Sequence, residues 1–154
     1  MKPVVLPTTT ERVERHTAES VNRRISQEIE RRVRRYAVHP EQIGDRLAEI
    51  DAEWDMERTL EANAATLALA GTLLGAFANK RFLLLPTLVT GFLLQHALQG
   101  WCPPVPFFRK RGVRTAAEID RERYALKALR GDFRAIDSDM DPARAIAAVQ
   151  AANG

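Results

Sequence analysis

The stretch from Ala62 to Phe108 decides how this chain is read: ANAATLALAGTLLGAFANKRFLLLPTLVTGFLLQHALQGWCPPVPFF. It is 47 residues long and holds two charged side chains, the adjacent Lys80 and Arg81. At the chain's 28% of charged residues, about 13 would be expected there. The pair divides the stretch into Ala62–Asn79, 18 residues, and Phe82–Cys102, 21 residues, the latter closed by Pro103 and Pro104. At about 1.5 Å per residue, these pieces span roughly 27 and 31 Å as helices. The hydrocarbon core of a bilayer is about 30 Å thick. Neither piece carries the charged stripe that a helix with one face in water normally keeps.

The sequence therefore predicts an all-α membrane protein with a two-helix transmembrane hairpin over 62–102, its legs 62–79 and 82–102 and its tip 79–81. Amphipathic cytoplasmic helices are expected over 11–61, and a basic linker with C-terminal helices over 103–154. Residues 1–10, with two prolines and three threonines, are expected to be disordered. Their apolar patch of five residues is shorter than the core of a secretory signal.

Whole-chain averages hide this pattern. The 154 residues carry a formal net charge of +3 and a mean hydropathy of −0.27, values of an ordinary soluble domain. The single cysteine excludes an intrachain disulfide and any multi-cysteine metal site. His16, His39 and His96 are too scattered to form a metal spacing, and no glycine-rich phosphate loop or paired-carboxylate pocket is present. The sequence thus points to no catalytic residue, no metal and no cofactor.

Positive charge orients a hairpin. Within about 20 residues of the membrane, the flanks hold Arg46, Arg58, Arg109, Lys110, Arg111, Arg114 and Arg121, against Lys80 and Arg81 at the tip. Both termini are therefore expected in the cytoplasm. Arg109, Lys110, Arg111 and Arg114 form a basic cluster beside the membrane exit, expected to contact anionic lipid headgroups at about 1 kcal/mol per charge.

Two stripes mark the legs. Ala64, Ala68, Gly71, Gly75 and Ala78 recur at helical spacing and are all small, which lets backbones approach closely in lipid. The seam suits the hairpin's own partner leg or a second subunit, and a homodimer is the favoured reading. In the second leg Gln95, Gln99 and Cys102 align on one helical face, for interhelical hydrogen bonds or for a small solute. His96 falls beside that stripe, and Pro86 is expected to kink the leg mildly.

The flanks read as soluble helices. Val21, Ile25, Ile29, Val33 and Tyr36 make one apolar stripe among paired arginines and glutamates. Residues 1–61 carry 13 acids against 11 bases, so an ion-paired helix face is expected and no nucleic-acid partner. Pro40 suits the first turn of a second helix with Ile43, Leu47, Ile50 and Trp54 on one face. Nothing obvious breaks it before Ala62, so it is predicted to run straight into the first leg. Thr115 and Glu118 suggest a capping box for a helix from Ala116 to Arg130, with Ile119, Leu126 and Leu129 on one face and Gly131 as its stop. A short helix is expected from Asp141-Pro142 to about Ala151.

The Ala/Gly-rich first leg, the short basic tip NKRFLLLP and the closing Gly100-Trp101-Cys102-Pro103 resemble the YgaP-like transmembrane domain family, a bacterial inner-membrane domain of unknown function. His39–Glu61 and Arg114–Phe133 look like the leading helix and tail of a longer subgroup. The resemblance implies a homodimer in a bacterial inner membrane. The family's best-known member fuses the hairpin to a rhodanese sulfurtransferase domain, which has no counterpart here. Three functional readings follow: a dimerising membrane anchor or scaffold, a minimal carrier or channel for a small anion (sulfur-containing anions among them), and a soluble helical regulator with a buried hairpin.

Overall fold

The computed structural model describes residues 9–134. Among them every regular element is helical, and no strand occurs. The α-helices are α1 (Thr9–Arg15), α2 (Glu19–Ala37), α3 (Ile43–Ala52), α4 (Met56–Phe77), α5 (Leu84–Gln99), α6 (Val105–Lys110) and α7 (Ala116–Arg130). Short 3-10 helices at Pro40–Gln42 and Lys80–Leu83 lead into α3 and α5. Thr9 and Thr10 are helical rather than disordered, and the helix expected from Asp141 lies outside the described residues.

By contacts the described chain divides into two compact units, 9–25 with 54–116 and 26–53 with 117–134. The first unit contains the hairpin α4–α5. Its turn begins at Asn79, whose side chain accepts from the backbone N–H of Arg81 at 2.9 Å, a turn-forming bond typical of asparagine. The four-residue 3-10 segment then adds about 8 Å to the roughly 24 Å of the 16-residue α5. Pro86 sits in the first turn of α5, the part of a helix that tolerates proline.

At the base of the hairpin, Val13, Met56, Leu60, Cys102 and Val105 form a buried cluster, with Phe108 and Val113 packed on it. Two backbone features close this base. Met56 N–H donates to the carbonyl of Arg114 at 2.9 Å. Gly100 ends α5 in the left-handed conformation, φ 70°, with its Cα against the backbone and Cβ of Arg12. A side chain at 100 would be strained by conformation and blocked by α1. Arg12 fastens the same corner by donating from Nη1 to the Leu98 carbonyl at 2.5 Å.

The second unit has its own core of Ile43, Leu47, Ile50, Ile119 and Leu126, with Val33 and Tyr36 against it. Of the stripes read in the sequence, Val33, Tyr36, Ile43, Leu47, Ile50, Ile119 and Leu126 face this core, whereas Leu129 is exposed. Gly131, φ 91°, ends α7 at the expected place. Glu122 is fully buried and accepts from two arginines: Arg46 Nε at 2.9 Å and Arg32 Nη1 at 3.2 Å. Burial alone would lower the Arg46 guanidinium, but its bonds to Glu122 and Glu49 outweigh this and hold it above its usual value.

The unbroken helix predicted from Pro40 into the first leg is interrupted at Glu53–Asp55. Asp55 adopts an extended backbone, and its side chain accepts from the N–H of Arg58 at 2.7 Å. It is the N-cap of a new helix, with Glu57 in the acidic first turn. Trp54 consequently leaves the apolar stripe; it is exposed, with the Arg58 guanidinium 4.4 Å above its ring.

Candidate functional site

The hairpin surface is the most unusual feature of the molecule. Two stretches, one within Pro40–Phe77 that includes α4 and the other Lys80–Gln99, are long and apolar enough to cross a membrane by length and composition. Only 17% and 6% of their apolar windows are buried within the protein. Leu69 and Leu94 are each 62% exposed and Phe77 is 87% exposed; Leu73, Leu84, Leu88 and Leu98 also face outward. What the hairpin buries is small. Gly71 and Gly75 are the only residues of α4 beyond Leu60 that are buried. A Cβ at Gly71 would lie 2.6 Å from Pro86 Cδ, and one at Gly75 would lie 2.5 Å from Leu83 Cδ2.

This geometry gives the small-residue seam its use within one chain. Gly71 and Gly75 seat the start of α5 and the turn before it, with Ala64 and Ala68 half-buried on the same side. Ala78 lies past the end of α4 and is exposed. The seam is therefore occupied by the partner leg, which removes its two glycines as a face for a second subunit.

The polar stripe does not survive. It required α5 to continue through Cys102, but the helix stops at Gln99 and Gly100 reverses the backbone. Cys102 turns into the basal cluster and is buried, whereas Gln95 is half-buried and Gln99 is exposed. The three share no face. The buried polar group of this leg is His96, and neither ring nitrogen has a hydrogen-bond partner among the described residues. Spacing alone does not single it out.

The basic cluster also splits. Arg109 is 0% exposed. It donates to Thr17 Oγ1 at 3.2 Å, to the Val113 carbonyl at 3.1 Å and to Asn22 Oδ1 at 2.8 Å. Thr17 passes the bond on, donating to the Val13 carbonyl at 2.7 Å. Arg114 is buried as well. Only Lys110 and Arg111 remain outside for a headgroup, so half of the cluster is structural. The reason is helical spacing: Arg109 lies four residues after Val105, on the buried face of α6.

Glu57 is a second enclosed polar group: among the described residues its carboxylate has no hydrogen-bond partner beyond its own backbone N–H. Burial pushes its carboxyl above the ordinary value of 4.5, and nearby Asp55 and Glu61 push it further, against the pull of its own backbone N–H and of Arg109. Among the described residues no group of three or more His, Cys, Asp or Glu side chains is placed to hold a metal ion.

No protein-family model, curated protein or solved structure matches this chain. The resemblance to the YgaP-like family rests on the residues quoted for it.

Proposed function

We propose that this chain is an integral membrane protein that works as an anchor or scaffold, with its hairpin in the bilayer and no chemistry of its own. The observation that carries the proposal is the near-complete exposure of two leucine- and phenylalanine-rich helices. In water such a surface far exceeds the few hundred Å² of contiguous apolar patch that monomeric soluble proteins tolerate. In lipid it is ordinary. The reading of a soluble regulator with a buried hairpin has no support, because the hairpin is not buried in the chain.

The positive charges favour placing the tip across the membrane with both termini in the cytoplasm, and the family resemblance implies that the membrane is a bacterial inner one. A homodimer, which the family resemblance implies, would use faces other than Gly71 and Gly75. The carrier reading is the weaker one, since Gln95, Gln99 and Cys102 line no common path.

Reconstitution tests the proposal. The full chain is expected to float with liposomes through a density gradient, and an Ala78→Cys/Cys102→Ser variant to react with an impermeant maleimide from the outside of intact cells. A chain that stays at the bottom of the gradient would contradict the membrane reading; a tip labelled only after lysis would contradict the orientation.

A further inference from the structure

The legs of the hairpin part near its base, and a cleft of about 390 Å³ opens there. That volume falls within the roughly 300–1,000 Å³ of small-molecule sites. Leu60 and Leu67 come from α4, Val89 and Phe92 from α5, and Phe107 and Phe108 from α6. The lining is almost wholly apolar. Its one amide side chain is Asn63, which gives one hydrogen to the Thr59 carbonyl at 2.7 Å and keeps a second donor and its oxygen. Cys102 forms part of the inner end.

Cations stand beside this apolar slot. The Arg111 guanidinium lies 4.2 Å from the ring centroid of Phe107, which is part of the wall. Lys110 precedes it and is exposed, and its carbonyl accepts from Arg24 Nη2 at 2.8 Å, which brings a third positive charge. A polar amide, an apolar trough and a basic rim fit an ester, a hydrocarbon chain and an anionic headgroup in that order.

We infer that the basal cleft seats one acyl chain of an anionic phospholipid, with its headgroup on Arg111 and Lys110. The inference rests on the membrane reading, because the bilayer supplies the ligand. The two cations left outside then hold one lipid in place and do not spread over many. Neutral lipids of the same chain length fill the trough but leave the rim unpaired, so they bind less well.

The full chain is reconstituted in bilayers of equal phosphatidylglycerol and phosphatidylcholine with matched chains, and the lipid retained on release is counted by native mass spectrometry. One phosphatidylglycerol per chain is expected, in several-fold excess over phosphatidylcholine. Arg111→Glu, an exposed change, should abolish that excess. Ala64→Phe, which fills the cleft, should remove the retained lipid of either kind while flotation is unchanged. Lys80→Glu/Arg81→Glu at the tip should leave retention as it was. Equal retention of both lipids overturns the inference, as does a tip variant that loses as much as Arg111→Glu. Should Ala64→Phe fail to fold, Arg111→Glu decides alone. A chain that floats but retains no lipid defeats only this inference; a chain that does not float defeats the membrane reading beneath it.

Discussion

The second unit and the hairpin obey opposite rules of burial. In the second unit Ile43, Leu47, Ile50 and Leu126 are inside, and the fully buried carboxylate of Glu122 is closed by Arg32 and Arg46. In the hairpin the leucines and phenylalanines are outside, and the inside is glycine against proline and leucine. Both helices of the hairpin are well formed, so helix propensity does not separate the regions. On the proposed membrane reading the solvent does. Apolar burial drives association in water, whereas helices in lipid gain little from it and depend on close packing at small residues.

That contrast can be broken most forcefully in the hairpin. Leu69→Arg with Leu94→Arg places a charge in each leg, at about 2.5–3.5 kcal/mol apiece near the bilayer centre. Liposome flotation should fall to background, while the helical circular dichroism of the flanking helices persists. The same pair of changes would be nearly silent if those residues faced water.

In the second unit the vulnerable point is Glu122. Glu122→Ala leaves Arg46 and Arg32 facing each other without their carboxylate, and a stability loss of about 3–5 kcal/mol is expected in urea unfolding. Insertion into liposomes should not change. A combined loss of both would show that the two regions do not follow separate rules.

Smaller effects belong to the seam. Gly71→Ala meets the rigid Pro86 ring and Leu85 Cβ, whereas Gly75→Ala meets mainly the movable end of Leu83. Gly71→Ala should therefore be the more damaging, at about 1–3 kcal/mol in thermal unfolding in detergent. The reverse order would argue that another surface holds the legs together.

Glu57 gives the mildest test, through pH. Its carboxyl is raised in the folded chain, so the folded state binds more protons than the unfolded one. Stability should be fullest below the ordinary value of 4.5 and should decline as pH rises through the elevated folded value. Glu57→Gln should flatten that part of the stability profile and be the more stable protein at neutral pH. An unchanged pH profile in the variant would show that the carboxylate is solvated.

Much of this architecture is legible from residue types. Two charges in 47 residues locate the hairpin, Asn79 to Arg81 locate its turn, and the stripe of α3 and the bounds of α7 follow from periodicity and from Gly131. The departures share one origin: a periodic pattern runs on past a local signal that ends it. The N-cap at Asp55 stops a helix that apolar spacing would continue. Gly100 stops α5 before Cys102, which dissolves the polar stripe. The basic run at 109–114 reads as one patch, although Arg109 follows Val105 at the spacing that turns it inward. The burial of His96 and Glu57 has no signal in the sequence, because it depends on α1 and the basal loops folding over the ends of the hairpin.

The central claim is that the exposed hairpin is covered by lipid. Alkaline carbonate treatment of membranes from cells that express the full chain tests it most directly. The chain is expected to remain in the pellet and to require detergent for release. Recovery in the carbonate supernatant, as a monodisperse species without detergent, would contradict the claim.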